Sequence, residues 1–353
     1  MQQSPIYDIW RVLSETRETA EAEIRATCRT VYIGENEALT RILGRYKMYV
    51  DTRDIGIASH LMMEGFWEMW VTEAMMRLLR RGAVVADVGA NLGYFTLLMA
   101  DLTGAEGHVI SVEPNPELAR RLRKSIDING FAGFTDFYPC GLGGEDGWAT
   151  MDVRADQPGG GRTIPIVAEP EPEPEPEAEA MPPPEPEVAA RPVGFMAALR
   201  QFFLPDPVAE PDPPVEAEAD IEPREASPEE PEEAGPPEGA VPIVRFDDLP
   251  RAREVEFMKI DVEGFEPAVW DGMTGRLENY DLPLTIFMEF TIERLEDPHG
   301  FLDRIMGWGF SLEIITFREG VRAITPGELF AGPHNVDHML VFRRDARGSQ
   351  DGD

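Results

Sequence analysis

The feature that most constrains this chain is an apolar run that ends in an acid and a glycine-rich turn. Residues 84–93 read Val-Val-Ala-Asp-Val-Gly-Ala-Asn-Leu-Gly, and residues 109–114 read Val-Ile-Ser-Val-Glu-Pro. A helix-like segment separates them, so the order is strand, loop, helix and strand, as in nucleotide-binding units. Glycine allows a ligand to approach the backbone of the turn closely because it has no Cβ. The alternative is an ordinary tight turn and a solvated acid.

Two acids indicate which nucleotide such a unit would hold. Glu113 ends the second strand, where a carboxylate can accept hydrogen bonds from both hydroxyls of a ribose. Asp87 precedes the turn, where a carboxylate repels a diphosphate but suits a cationic group. S-adenosylmethionine carries two cationic groups, an ammonium and a sulfonium. The loop therefore favours this cofactor, and NAD is the alternative.

Four segments, in this order, resemble the FkbM-type S-adenosylmethionine-dependent methyltransferases. They are residues 65–68, 87–95, 112–116 and 257–264, within a resemblance that covers residues 45–150 and 241–343. The resemblance implies a class I (Rossmann-like) methyltransferase fold whose last strand runs antiparallel. It also implies methylation of a hydroxyl oxygen on a sugar, glycan or secondary metabolite.

The strands of a doubly wound sheet present their C-terminal ends to the ligand. Together with the resemblance, this assigns a set of cofactor-binding residues: Asp87, Gly89, Ala90, Asn91, Gly93, Glu113, Asn115 and Gly141. We also expect Glu68 either to meet the cofactor ammonium or to be a solvated acid at a helix start.

Lys259, Asp261 and Glu263 form the candidate catalytic signature. On a strand, residues 259 and 261 point the same way. Methyl transfer requires an aligned acceptor, and a hydroxyl acceptor must also lose its proton to a base. Asp261 is the first candidate base and Glu263 the second. Alternatively, Asp261 only orders the cofactor loop or pairs with Lys259.

A bound metal ion is an alternative role for the acids at the C-terminal ends of the predicted strands. Asp261 and Glu289 end neighbouring predicted strands, and two carboxylates there could hold Mg²⁺. We nevertheless expect no metal.

Composition restricts the partners and the compartment. The net charge of −34 argues against nucleic acid or an anionic membrane as a partner. Cys28 and Cys140 are the only cysteines, too few for a disulfide framework. The N-terminus lacks the pattern of a signal peptide, and no apolar run reaches the roughly 18 residues of a membrane span. We expect a cytoplasmic enzyme.

Alternating strands and helices predict a doubly wound, mostly parallel α/β sheet of seven strands. The predicted strands are 84–88, 108–113, 134–139, 255–260, 284–289, 311–317 and 338–342. Residues 1–80 are predicted to form an N-terminal cap, with helices within 5–30 and over 36–44 and 67–79, and a strand at 46–50. The methyltransferase domain is expected at 81–153 and 241–345, with a flexible tail at 346–353.

An acidic, proline-rich segment is predicted to interrupt this domain at residues 154–240. Residues 169–240 hold 21 acids, three bases and 19 of the 32 prolines. Mutual repulsion and missing backbone donors prevent a packed core, so we predict a disordered insertion. Inside it, residues 193–204 have helix-like apolar spacing, which makes them a candidate docking segment for a protein partner. Self-docking, or no role, are the alternatives, and a cofactor-binding scaffold that recruits a partner is a second functional hypothesis.

Overall fold

The computed structural model describes residues 6–154, 157–165, 237 and 239–347. Residues 1–167 and 241–353 form one compact unit. This unit contains both halves of the predicted methyltransferase domain. The candidate docking segment 193–204 lies outside the described residues, as does most of the predicted insertion.

The N-terminal region is a small antiparallel sheet flanked by helices. Its helices are α1 (Arg11–Ser14), α2 (Arg17–Thr27), α3 (Ile57–Glu64) and α4 (Met69–Leu78). Its strands are β1 (Thr30–Gly34), β2 (Glu37–Ile42) and β3 (Tyr46–Asp51), paired in that order. The predicted strand at 46–50 and helix at 67–79 are therefore confirmed.

The predicted helix over residues 36–44 is wrong, because this stretch is strand β2. Glu35 and Asn36 both have positive φ, 51° and 60°, and form a tight turn between β1 and β2. β2 then finds backbone partners on both sides, β1 and β3. Apolar spacing in so short a stretch does not distinguish a helix from a strand, and here the turn and the two neighbouring strands decide the outcome.

The remaining strands form a central sheet and a smaller sheet. In chain order they are β4 (Val84–Val88), β5 (His108–Val112), β6 (Thr135–Tyr138), β7 (Gly141–Leu142), β8 (Gly147–Arg154), β9 (Gln157–Pro165), β10 (Val241–Val244), β11 (Phe257–Ile260), β12 (Leu284–Phe290), β13 (Ser311–Thr316), β14 (Gly320–Ala323) and β15 (His338–Arg344).

The central sheet has the order β14-β13-β15-β12-β11-β4-β5-β6. Strands β12, β11, β4, β5 and β6 are adjacent in this order and parallel to one another. Strand β15 lies between β12 and β13 and is antiparallel to both. The predicted doubly wound sheet with an antiparallel last strand is therefore confirmed. An eighth strand, β14, adds a hairpin to β13. It was not predicted because its sequence, Gly-Val-Arg-Ala, lacks an apolar run.

Helices cover the faces of this sheet. They are α5 (Tyr94–Thr103), α6 (Pro116–Ile128), α7 (Glu266–Asp271), α8 (Thr274–Glu278), α9 (Pro298–Gly307) and α10 (Pro326–Ala331). Helices α7 and α8 are separated around Gly272, where a Cβ would overlap the carbonyl oxygen of Gly143. No helix among the described residues has the length and apolar character needed to cross a bilayer.

The smaller sheet has the order β7-β10-β8-β9 and joins the two halves of the domain. β8 and β10 pair antiparallel, although the predicted insertion separates them in the chain. β9 pairs antiparallel with β8, and the start of the insertion at residue 154 stays a prediction.

A buried ion-pair network ties the N-terminal sheet to α6. The guanidinium of Arg121 donates to Asp51 Oδ2 at 2.9 Å and to the carbonyl and Oε2 of Glu117, each at 3.0 Å. The side chains of Arg121 and Asp51 are only 2% and 3% exposed. Arg53 contacts the same Asp51 oxygen at 2.7 Å. Strand β3 and helix α6 are therefore linked by a desolvated charge pair.

Replacing Arg121 by Met is expected to lower the free energy of unfolding by about 3 kcal/mol, measured by urea denaturation. Removing one partner of a buried pair leaves the other charge desolvated, which costs about 3 to 5 kcal/mol. We expect the lower end because Arg53 still contacts Asp51.

The matched control is Arg81→Met. Arg81 pairs with Glu106 at 2.8 Å, but both side chains are about two-thirds exposed. Loss of such a surface pair costs under about 1 kcal/mol. Equal losses in the two variants would contradict the role given to burial.

Candidate active site

A cavity of about 520 Å³ opens at the C-terminal ends of the central parallel strands. Its wall is formed by the loops that follow β4, β5, β11 and β12 and by the segment that precedes α4. The chain passes from β4 outward to β5 and β6 and then returns to β11 on the other side of β4. Ligands of doubly wound proteins bind at such a reversal of strand order.

The loop after β4 has three left-handed residues, Gly89, Asn91 and Gly93, with φ of 76°, 54° and 91°. A Cβ on Gly89 would overlap the carbonyl oxygen of Asp261, and one on Gly93 would overlap the side chain of Leu122. The structure thus requires these glycines for packing of the loop against the protein itself, a reason different from the predicted approach of a ligand. Between them, Ala90 and Asn91 line the cavity.

Glu113 holds two loops of the cavity wall together. Its Oε2 accepts a hydrogen bond from the backbone N–H of Asn91 at 2.8 Å, and its Oε1 accepts one from that of Asn115 at 2.9 Å. Burial raises the pKa of Glu113 to about 7, against the lowering effect of these two donors. Asn115 also caps α6, since its side chain accepts from the N–H groups of Glu117 and Leu118. The structure brings Glu113 and Asn115 together at the cavity, as predicted.

Asp87 lies behind the cavity rather than in its described wall. It is 1% exposed, and its Oδ2 accepts a hydrogen bond from the Thr96 hydroxyl at 2.6 Å. Its Oδ1 is buried without a hydrogen-bond partner in the described part of the chain. Burial raises the pKa of Asp87, and Lys259 and Thr96 oppose this rise. Asp87 thus lies where it can influence the electrostatic potential of the cavity without lining it.

Lys259 is the buried cation of the site. It is the register neighbour of Asp87 on the adjacent strand, and its Nζ lies 2.7 Å from Asp261 Oδ2. Residues 259 and 261 therefore point the same way, as predicted. Burial lowers the pKa of Lys259, but Asp261 and Asp87 outweigh burial and raise that pKa above its usual value. The two carboxylates therefore favour the charged form of Lys259.

A second charged cluster surrounds Arg294 on the other side of Asp261. Arg294 Nη1 lies 2.8 Å from Glu289 Oε2 and 2.9 Å from Glu263 Oε2, and its Nη2 lies 3.3 Å from Asp337. Burial raises the pKa of Glu289 to about 9, and Asp261 and Glu263 add to the rise. Three carboxylates thus share one guanidinium.

Arg294 and Asp337 were not expected from the sequence. Asp337 precedes β15, whose first residue, His338, is the register partner of Phe290 at the end of β12. Because β15 is antiparallel, the residue before its start reaches the same rim as the C-terminal ends of its neighbours. Arg294 ends a short 3₁₀ helix, Ile292–Arg294, just after β12. The sequence could have indicated that Asp337 lies at this rim, through the predicted antiparallel direction of the last strand.

The structure does not bring Gly141 to the described wall of the cavity. Gly141 lies in β7 against Ile243 of β10, where a Cβ would meet the Ile243 side chain. Its role as a cofactor-binding residue stays a prediction, and the pairing of β7 with β10 accounts for its place in the smaller sheet.

The candidate Mg²⁺ ligands, Asp261 and Glu289, are each bound by a cation of the protein, Lys259 and Arg294. Among the described residues, no group of three or more His, Cys, Asp or Glu side chains is arranged to hold a metal ion.

The strand order, the antiparallel β15 and the acid at the end of β5 define a protein of the class I methyltransferase type. A family model, the methyltransferase FkbM domain, matches residues 87–312. The chain belongs to this family. The predicted relationship to the FkbM-type methyltransferases is thereby confirmed.

Individual proteins resemble parts of the chain. A protein-L-isoaspartate O-methyltransferase of Ignicoccus hospitalis is 46% identical over 57 residues, which are 16% of this chain and 27% of that protein. The match thus spans about a quarter of that relative. A SAM-dependent O-methyltransferase from Thermotoga maritima aligns with 91% of this chain and 87% of its own at 10% identity and a TM-score of 0.36. TYW2 of M. jannaschii in complex with AdoMet covers 89% and 87%, at 12% identity and a TM-score of 0.37.

Proposed function

We propose that this protein transfers a methyl group from S-adenosylmethionine to a hydroxyl oxygen of a sugar, glycan or secondary metabolite. The observation that carries the proposal is the group of carboxylates beside the half-buried Trp67 in one cavity: Asp261, Glu263, Glu289 and Asp337. Ionised carboxylates only accept hydrogen bonds, so they suit an acceptor rich in hydroxyl donors. An aromatic ring offers an apolar face for the carbon skeleton of such a molecule.

The residues present fit the cofactor. Glu113 is buried at the end of β5, and its oxygens would accept hydrogen bonds from the ribose hydroxyls in addition to those from the backbone. Ala90 and Asn91 would border the methionine part. The unpartnered Oδ1 of Asp87, just behind this wall, adds negative charge that favours a cationic ligand. When bound, S-adenosylmethionine supplies an electrophilic methyl group on a positively charged sulfur.

Asp261 is our candidate for the base that takes the acceptor proton. Lys259 fixes its Oδ2, and its Oδ1 has no hydrogen bond to any residue that the structure describes. A held carboxylate with one free oxygen can both orient a hydroxyl and receive its proton. Glu263 is the second candidate, and Arg294 holds it at 2.9 Å.

The first test is a calorimetric titration of S-adenosylhomocysteine into the protein. Transfer of label from methyl-labelled S-adenosylmethionine to a panel of methyl glycosides then tests the acceptor class. Binding without transfer to any hydroxyl would favour the scaffold alternative. Binding of NADH without binding of S-adenosylhomocysteine would favour the oxidoreductase alternative.

Asp261→Asn is expected to lower methyl transfer to a hydroxyl acceptor by about 10²- to 10⁴-fold, because it removes the base. Its affinity for S-adenosylhomocysteine is expected to stay within a few-fold of the wild type. The control is Asp271→Asn, whose carboxylate is about half exposed and pairs with Arg304 outside the cavity. Full turnover by Asp261→Asn would show that this carboxylate only pairs with Lys259.

Two further features support the proposal. The relative from Ignicoccus hospitalis is by name an O-methyltransferase, which favours oxygen as the accepting atom. Cys28 and Cys140 are free and buried, which agrees with the reducing conditions of the cytoplasm.

A further inference from the structure

Seven carboxylates line the cavity, and they differ in how their charges are satisfied. They are Asp54, Glu68, Glu113, Asp261, Glu263, Glu289 and Asp337. Two of them, Asp54 and Glu113, accept hydrogen bonds from backbone N–H groups. Four more lie against a cation, either Lys259 or Arg294. The carboxylate of Glu68 makes no hydrogen bond or ion pair with any residue that the structure describes.

The backbone at Glu68 is unusual as well. It adopts a left-handed conformation, with φ 39° and ψ 61°, at the residue that precedes α4. Non-glycine residues take this conformation at a cost, and such residues concentrate at functional sites. An acidic side chain at this position often caps the helix, but that of Glu68 makes no capping hydrogen bond. Instead, Glu68 lines the cavity beside Trp67.

The charges that face Glu68 do not neutralise it. The pKa of Glu68 is raised to about 7, mainly by burial and also by Asp261 and Asp337, against the lowering effect of Lys259. Lys259 itself is already bound to Asp261. An arriving cation would therefore find in Glu68 a carboxylate that is desolvated and has no competing partner.

We propose that Glu68 is the counter-ion to a positively charged group of bound S-adenosylmethionine. The proposal rests on the proposed function. The sequence offered this role to Asp87 and, as one of two alternatives, to Glu68. The cavity favours Glu68 because Asp87 lies behind the cavity wall. Two groups of the cofactor have the required charge. The ammonium is present in both S-adenosylmethionine and S-adenosylhomocysteine, whereas the sulfonium is present only in the former.

The test is calorimetric titration of both compounds into the wild type and Glu68→Gln. We expect Glu68→Gln to bind S-adenosylmethionine about 10- to 100-fold more weakly, the range for a hydrogen bond or close contact with a charged group. A matching loss for S-adenosylhomocysteine would identify the ammonium, and an unchanged affinity for it would identify the sulfonium. Affinities within about two-fold of the wild type for both compounds would overturn the proposal. A wild type that binds neither compound would instead contradict the proposed function.

Proton release gives a second readout that a purely structural role would not change. A bound cation lowers the pKa of a neighbouring carboxyl group, so binding of S-adenosylmethionine at pH 7 should release protons. The release is measured in buffers of different ionisation enthalpy. Glu113 and Glu289 also have raised pKa values, so the informative quantity is the difference between wild type and Glu68→Gln. Equal release by both proteins would count against Glu68.

The matched control is Glu64→Gln. Glu64 pairs with Arg25 at the protein surface and does not line the cavity. This variant should bind both compounds as the wild type does. The empty Glu68→Gln protein should melt at the same temperature as the wild type or slightly higher, because the substitution removes an unpaired, desolvated charge.

Discussion

Gly89→Ala is expected to abolish measurable binding of S-adenosylhomocysteine and to lower the free energy of unfolding by about 2 to 5 kcal/mol. Two costs combine at this residue. Its φ of 76° lies in the left-handed region, and its Cβ would overlap the carbonyl oxygen of Asp261. Relief of that overlap requires the loop after β4 and the turn after β11 to move apart. These two segments carry Ala90, Asn91 and Asp261, so the cavity would lose its shape.

Gly82→Ala separates the two costs. Gly82 has nearly the same φ, 79°, but a Cβ there would meet nothing within 4 Å. This variant is expected to cost about 1 kcal/mol from the backbone alone and to leave cofactor affinity unchanged. Denaturation and titration of both variants provide the comparison. Similar losses would mean that the contact between the two segments has no special role.

Lys259→Met is expected to lower the free energy of unfolding by about 3 to 5 kcal/mol at pH 8, because it leaves buried carboxylates without their cation. Lys259 is 2% exposed and faces Asp87, Asp261 and Glu68. We expect a clearly smaller loss at pH 5. Burial already raises the pKa of Asp87, and removal of Lys259 raises it further. A carboxyl whose pKa is raised by folding destabilises the protein above its unfolded pKa, near 4, and protonation relieves this as the pH falls through the folded pKa.

Two variants control this prediction. The double variant Lys259→Met/Asp261→Asn also removes one of the carboxylates left without a cation, so it should regain part of the free energy of unfolding lost at pH 8. Lys124→Met removes a lysine that is 41% exposed and pairs with Glu37 at 2.7 Å. Its expected cost is under about 1 kcal/mol and nearly independent of pH. A loss for Lys259→Met that did not change between pH 5 and pH 8 would point to packing of the side chain instead of its charge.

The strands and helices around the cavity could be predicted because their signals are local. β4 is apolar except for Asp87 and is buried at every position, and α6 begins with Asn115 and Pro116, a cap and a first-turn proline. The region over 36–44 was misassigned because its apolar spacing fits both a helix and a strand. Only its pairing with β1 and β3 makes it a strand.

The sequence by itself determined the class of this protein. The spacing of Asp87, Gly89 and Glu113 on two strands and one turn is enough to predict the cofactor loop, since neighbouring residues set that geometry. The tertiary structure decided which carboxylates are already paired. Arg294 comes from a different loop and pairs with Glu263 and Asp337, whereas Glu68 is left without a partner among the described residues. Long-range packing sets the electrostatic environment of a side chain, so a motif can predict that an acid is present but not whether its charge is free for a ligand.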